Sequence, residues 1–246
     1  MPGSPGGGEI SPPPPGLAER LVAQSGFVVY EGGNSLFNET VLVYLAKPRK
    51  ERPDFDIFDH VGRPVGISRL QNRRFNVGSH GTTVMYDAGM NETLRVKPTF
   101  TPLSMTFAVS GVASGRVIGG GNRFGDLVIG PDVQTAKPGP YRVAPTKATV
   151  HGPVPNVMQH YGSIAGPKLR GLTASSLMIL DQQKNQVGQI RVFSEGRWFS
   201  RVRHYVMSIE PTVKGELRRL LITVPTIITT VAWQQQTFVA GPLGES

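Results

Sequence analysis

The chain reads ELRRLLITVPTIITTVAWQQQ across residues 216–236, its longest nearly uncharged apolar run. After Arg219, no charged residue occurs until the penultimate position of the sequence. The uninterrupted apolar and threonine part, residues 220–233, is shorter than the roughly 20 apolar residues that a helix needs to cross a bilayer. Pro225 also lies in its middle. The stretch is therefore typical of a buried core element and not of a membrane anchor.

Helical spacing describes this stretch better than strand alternation. Odd and even positions of residues 220–231 are both apolar or threonine, whereas an i, i+3, i+4 pattern collects the aliphatic residues on one stripe. Burial of these side chains at roughly 2 kcal/mol each outweighs a proline cost of about 3 kcal/mol. We therefore predict a central core helix over residues 216–236. Its predicted core residues are Leu217, Leu220, Leu221, Val224, Ile228 and Val231.

Composition and charge limit the class of protein. The 246 residues are 39% hydrophobic and 17% charged, with 30 Gly and 21 Pro, which indicates a globular chain rich in turns. The formal net charge of +9 favours anionic partners such as phospholipid headgroups or nucleic acid. The chain has no cysteine, which excludes disulfides, thiolate zinc sites and thiol catalysis.

The chain divides into a tail and one domain. Residues 1–16 hold six Pro and five Gly, so we predict a disordered tail whose proline run could bind a protein partner. We predict a short helix or linker over residues 17–35 and a single domain over residues 36–240. Seven prolines in residues 131–171 predict a Pro-rich insertion into that domain. The first residues lack a secretory signal pattern, so we expect a cytoplasmic protein.

One hairpin pattern recurs along the domain. Apolar strand-like runs are joined through turns that begin at Asp59, Asp87 and Asp181, where a short carboxylate can bond to the turn backbone. Strand runs repeated in this way predict an antiparallel sheet that is closed or sandwiched, and hence a mainly β fold. The central helix is expected to lie inside it.

A family resemblance rests on four features. They are LFNETVLVYLAKPRKERPDFDIFDHVGRPVG from Leu36, the turns at Asp87 and Asp181, HYVMSIEP from His204, and LRRLLITVPTIITTVAWQQQ from Leu217. Together they resemble the bacterial type of the phospholipid-scramblase, or LURP-one-related, family within the tubby C-terminal-like superfamily. The resemblance implies a closed antiparallel β-barrel of about 12 strands around a hydrophobic C-terminal helix, in the usual size range of closed barrels. Pro225 and the long insertion depart from the family pattern.

Catalytic and metal-binding patterns are weak. Asp54, Asp56 and Asp59 form the densest carboxylate group, but their spacing does not match a calcium loop, and strand-edge and turn roles are favoured. The sequence contains neither HExxH nor GxSxG. We therefore predict a protein that is not an enzyme and has no cofactor or metal. The five histidines are scattered without regular pairing: His60, His80, His151, His160 and His204.

Basic residues give the strongest functional signal. They fall into three segments, one of which has Trp198 and Phe199 beside its arginines, a combination that suits an anionic membrane interface. We predict binding of acidic phospholipid at a membrane surface through these loops by a peripheral, tubby-like protein, with lipid scrambling as a bolder variant. The alternatives are nucleic-acid binding through the same surface and a protein-interaction scaffold. The predicted anion-binding residues are Lys47, Arg49, Lys50, Arg52, Arg69, Arg73, Arg74, Arg197, Arg201 and Arg203.

Overall fold

The computed structural model describes the greater part of the chain, in thirteen ranges. They are residues 15–30, 32–47, 54–71, 81–101, 104–111, 115–120, 127–131, 141–144, 147–150, 162–165, 176–181, 185–195 and 202–230. Within these ranges the protein is mainly β, with antiparallel strands and few helices.

The elements follow one another as predicted for a chain rich in hairpins. A short helix comes first, strands fill the middle, and a second helix follows the last strand. Their bounds are α1 Leu17–Ser25, β1 Val41–Ala46, β2 Phe55–Phe58, β3 Pro64–Leu70, β4 Thr83–Asp87, β5 Glu92–Thr101, β6 Ser104–Ser110, β7 Gly115–Gly120, β8 Leu127–Pro131, β9 Tyr141–Ala144, β10 Lys147–Val150, β11 Gly162–Ala165, β12 Ser176–Asp181, β13 Gln186–Glu195, β14 Val202–Ile209 and α2 Gly215–Ile222.

Neighbouring strands of the main sheet are antiparallel and mostly consecutive in the chain. The hydrogen-bonded order is β1-β14-β13-β12-β11-β8-β7-β6-β5-β4-β3-β2, and β1 pairs with both β14 and β2. The segment between β8 and β12, predicted as a Pro-rich insertion, contains β11 in the main sheet. It also contains β9 and β10, which pair with each other as a separate two-stranded sheet.

Three hairpin turns share one set of hydrogen bonds. In the β2–β3, β4–β5 and β12–β13 turns, Oδ1 of the first aspartate accepts the backbone N–H four residues later, at 2.8, 2.9 and 2.7 Å. The N–H of the same aspartate donates to the carbonyl oxygen of that later residue. The predicted repeat of the turn at Asp59, Asp87 and Asp181 is confirmed. Since each hydrogen bond is local, the same short pattern folds in the same way at each site.

Both faces of β1 are covered. Leu42 and Tyr44 belong to the large core cluster that contains the C-terminal helical residues. Val41 and Val43 pack instead with the apolar side of α1. Because successive strand residues point to opposite faces, a strand enclosed on both sides needs an unbroken apolar sequence, as in VLVYLA.

The C-terminal helix is buried but interrupted. Helix α2 ends at Ile222, Thr223 forms a turn, and residues 224–230 are helical again. The prediction of one continuous helix is therefore wrong at this point. Pro225 cannot donate to the carbonyl four residues earlier, but it is tolerated in the first turn of a new helical segment, where that N–H has no helical partner. Leu220, Leu221, Val224 and Ile228 are fully buried, Leu217 is half-buried, and Val231 lies outside the described residues.

Two further expectations concern the chain ends and the bilayer. Of the predicted N-terminal tail, residues 1–14 lie outside the described residues, and α1 occupies part of the predicted helix or linker. Among the described residues, no helix combines the length and the hydrophobicity that crossing a bilayer requires.

Candidate functional site

The sheet register brings the strand ends that flank the three predicted basic segments to one end of the sheet. Strand β1 ends there, β14 begins there, and the backbone N–H of Ala46 donates to Nδ1 of His204 at 3.1 Å. Strand β3 also ends there, since Phe55 at the start of β2 pairs with Ser68. We call this the basic end: the end of the sheet at which β1 and β3 end and β14 begins.

Many residues that connect the strands at the basic end lie outside the described residues. The order of the strands nevertheless shows which residues connect each pair of strands there. The six connections at this end span residues 47–54, 71–82, 102–103, 121–126, 166–175 and 196–201. They contain eleven Lys and Arg against three Asp and Glu. Of the predicted anion-binding residues, those outside the described ranges are Arg49, Lys50, Arg52, Arg73, Arg74, Arg197 and Arg201.

An ion-pair cluster occupies the described part of the basic end. Nη1 of Arg69 donates to the carbonyl oxygens of Phe55 and Ser68, at 2.6 and 3.0 Å, and Nη2 donates to Asp56. Nζ of Lys47 lies 3.6 Å from the same carboxylate. The side chain of Arg69 is only 17% exposed. Arg69 therefore holds β2 and β3 together, and its predicted role in binding an external anion stays a prediction.

The other two aspartates of the predicted carboxylate group also have structural roles, Asp54 at the basic end and Asp59 in the β2–β3 turn at the opposite end. Oδ1 of Asp54 accepts a hydrogen bond from the backbone N–H of Leu70 at 2.7 Å. This bond ties the residue just before β2 to the last residue of β3. Asp59 accepts two backbone N–H groups of its own turn and pairs with Nε of Arg63 at 2.6 Å. Within the described ranges, no group of three or more His, Asp or Glu side chains lies close enough to hold a metal ion.

A buried carboxyl lies at the opposite end of the sheet. Glu39, just before β1, is 1% exposed, and among the described residues neither of its carboxyl oxygens has a hydrogen-bond partner. Nδ1 of His60 lies 3.8 Å from Oε2, beyond hydrogen-bond distance. Burial, and then the charge of Asp59, raise the pKa of Glu39, whereas His60, Arg63 and Arg218 act in the other direction.

Arg218 joins this carboxyl segment to the start of α2. Its guanidinium is buried and donates to the carbonyl oxygens of Glu39, Val213 and Glu210, the last at 3.5 Å. Burial lowers the pKa of Arg218, and the nearby Glu39 and Tyr44 oppose that effect. The arginine thus ties together three parts of the chain that meet where α2 begins.

Sequence reasoning did not identify the Glu39 and His60 contact. His60 is one of five scattered histidines in the sequence, and Glu39 stands 21 positions earlier, beyond the reach of any helix or hairpin pattern. The sequence does hold one signal of a buried Glu39. Glu39 precedes Thr40 and the fully apolar strand β1, and a charged residue so close to a buried strand is buried with its neighbours.

Comparisons with known proteins leave the family open. No family model and no curated protein matches the chain. Among solved structures, the chain is similar to an Arabidopsis thaliana protein determined by X-ray crystallography, at 11% sequence identity and a TM-score of 0.38. The match covers 84% of this chain and 99% of the Arabidopsis chain.

Proposed function

We propose that the domain is a tubby-like closed β-barrel of about 12 strands around a hydrophobic C-terminal helix, a size within the usual range of closed barrels. Two observations support it. The first strand of the main sheet pairs with strands on both sides, β14 and β2. The helical residues after β14 share one core cluster with side chains of many strands, among them Phe107 and Leu177. The family resemblance to phospholipid-scramblase and LURP-one-related proteins agrees with this architecture.

On that scaffold, we propose a non-enzymatic protein that binds acidic phospholipid at a membrane surface through the basic end. The observation that carries the proposal is that the strand ends flanking three basic segments, which are distant in sequence, lie at one end of the sheet. A surface that presents many bases and few acids attracts anionic lipid by about 1 kcal/mol for each base near the membrane. Trp198 and Phe199 in one of these segments suit the interface, where aromatic rings are favoured.

The described part of the basic end refines which bases take part. Arg69 donates hydrogen bonds to Asp56 and to backbone carbonyls. We therefore assign lipid binding to the connecting segments around it. The side chain of Lys47 is 31% exposed and lies beside the Asp56 carboxylate. Lys47 therefore lies at the border of the proposed lipid-binding surface. Lipid scrambling would require an additional activity on this surface, and a liposome flip assay with and without calcium tests it.

Sedimentation with vesicles tests the proposal. We expect the protein to pellet with vesicles that contain phosphatidylserine, to stay in solution with pure phosphatidylcholine, and to be released when salt rises from about 0.1 M to about 1 M, because the Debye length falls from about 10 Å to about 3 Å. Failure to pellet with acidic vesicles at low salt would overturn it.

Nucleic-acid binding is the second candidate. The same Lys and Arg residues could bind the phosphate backbone, and the neighbouring aromatic side chains could stack on nucleobases. Salt-sensitive retention of single-stranded RNA or DNA, without preference for acidic vesicles, would favour it. A scaffold role of the Pro-rich tail is tested by deletion of residues 1–16, which should abolish partner binding and leave vesicle binding unchanged.

A further inference from the structure

Two segments meet at the end of the sheet opposite the basic end. They are the segment before β1, residues 32–40, and the β2–β3 turn, residues 59–63. Their contact brings the buried carboxyl of Glu39 to 3.8 Å from the imidazole of His60, which is one-quarter exposed. Because no donor among the described residues reaches either carboxyl oxygen, an ionised Glu39 is a buried charge without a hydrogen bond.

The space beside this carboxyl is filled by the chain. A Cβ on Gly32 would lie 2.7 Å from Oε2 of Glu39 and 3.1 Å from the carbonyl oxygen of Asn38. A side chain at position 32 would therefore have to displace the Glu39 carboxyl and crowd the backbone of residues 38 and 39. A proton binds to this carboxyl without any movement of the chain.

The surrounding charges come from three elements. The turn contributes Asp59 and Arg63, and α2 contributes Arg218. From α1, Glu19 lies against the outer side of the turn, where a Cβ on Gly62 would be 3.2 Å from its Oε1.

Most of these groups are committed elsewhere. Asp59 binds two N–H groups of its turn and Nε of Arg63. Arg218 donates to backbone carbonyls and not to the Glu39 carboxyl. The buried carboxyl of Glu39 is therefore the acid at this contact that has no hydrogen-bond partner among the described residues. Burial and the negative charge of Asp59 raise the pKa of Glu39, which agrees with a retained proton.

We propose that the buried carboxyl of Glu39, which faces His60 and Asp59, holds one proton and forms a proton-dependent clasp that keeps residues 32–40 against the 59–63 turn. With the proton bound, a neutral carboxyl occupies this buried site. When the proton is lost, an unpaired carboxylate remains buried beside Asp59, and the segment opens to water. Since Arg218 donates to the carbonyl oxygen of Glu39, opening also loosens the start of α2.

Hydrogen exchange of the full chain, followed from about pH 5 to about pH 9 around the ordinary pKa of histidine, tests the clasp. After correction for the intrinsic rate, amides of residues 38–40 and 61–63 should lose protection as the pH rises. Because one proton is released, local protection can fall by at most about tenfold for each pH unit. Amides of β13 and β14 should show no such slope. In Glu39→Gln, the local slope should disappear.

Two results overturn the clasp. One is the same pH slope of local protection in wild type and in Glu39→Gln. The other comes from carbon-13 NMR of the Glu39 carboxyl in wild type, which also decides the question if the variant does not fold. Titration of that carboxyl like a solvent-exposed glutamate contradicts the proposal, whereas titration at higher pH supports it.

Discussion

The phenol of Tyr44 on β1 donates a 2.8 Å hydrogen bond to the carbonyl oxygen of Ile222, the last residue of α2. The hydroxyl groups of Ser68 on β3 and Thr226 are also hydrogen-bonded, at 3.1 Å between their oxygens, and either can be the donor. Apolar packing tolerates rotation of a helix, but buried hydrogen bonds to defined wall positions do not. These contacts therefore fix which side of the helical residues faces each strand.

Removal of the Tyr44 hydroxyl should weaken the domain. Tyr44→Phe leaves the buried carbonyl of Ile222 without this donor, so we expect the free energy of unfolding to fall by about 1 to 3 kcal/mol. Urea denaturation measures it. Tyr86→Phe is the control, because its half-buried hydroxyl only accepts from Gln71. Equal losses in the two variants would contradict the role of the Tyr44 bond.

A charge inside the helix should abolish folding. Ile228 is fully buried, and Ile228→Asp places an unpaired carboxylate in the core, with a cost that exceeds a typical domain stability of about 5 to 15 kcal/mol once its lost apolar contacts are added. Circular dichroism and size-exclusion chromatography should show an unfolded or aggregated chain. Val28→Asp, at a position that is 66% exposed, should remain folded. A soluble, folded Ile228→Asp variant is incompatible with an enclosed helix.

Arg69 should matter for stability more than for binding. Arg69→Gln removes charged hydrogen bonds to Asp56 and to two carbonyl oxygens, so the free energy of unfolding should fall by about 2 kcal/mol. Vesicle binding per folded molecule should fall no more than in Arg49→Gln, which should leave stability within about 0.5 kcal/mol of wild type. If Arg69→Gln is as stable as wild type but no longer binds vesicles, Arg69 belongs to the lipid-binding surface.

The buried Glu39 predicts the sign of a pH effect on stability. Its pKa is raised from the ordinary value of 4.5, so the folded state binds this proton more tightly than the unfolded state. The contribution of Glu39 is therefore most favourable below pH 4.5 and is lost as the pH rises through the raised pKa. Glu39→Gln should stabilise the domain by about 1 kcal/mol or more at alkaline pH and give no gain below the unfolded pKa.

Chemical denaturation across the pH range measures this difference. Glu92→Gln is the matched control, since Glu92 is exposed and pairs with Arg95 at 2.8 Å. It should not gain stability at alkaline pH. A destabilised Glu39→Gln variant at alkaline pH would show that the carboxylate is stabilised in the native protein by its charged neighbours.

Local chemistry explains what the sequence predicts well. The turns at Asp59, Asp87 and Asp181 depend on contacts four residues apart, and their hydrogen bonds are the predicted ones. The apolar stripe of the C-terminal helix is readable from spacing alone, because residues 220–230 are all buried. Pro225 marks the interruption of that helix, since proline cannot donate the hydrogen bond that a continuous helix needs at this position.

Contacts that depend on register explain the rest. Arg69 looks like a free base in the sequence, and only the pairing of β2 with β3 places it against Asp56. The contact between Glu39 and His60 depends on where a loop crosses a turn, which no periodicity encodes. Charge composition predicts an anionic partner, and the register adds that the strands flanking the three basic segments end or begin at one end of the sheet.

The lipid proposal is tested most directly by two charge-reversed variants of equal net charge. Arg49→Glu with Lys50→Glu alters the basic end, whereas Lys97→Glu with Lys214→Glu alters exposed positions elsewhere. Because both pairs change the net charge equally, a general charge effect cancels in the comparison. We predict that the first pair abolishes sedimentation with phosphatidylserine vesicles at about 0.1 M salt and that the second retains most of it. Equal loss in both pairs, or full binding by the first, would contradict a lipid-binding basic end.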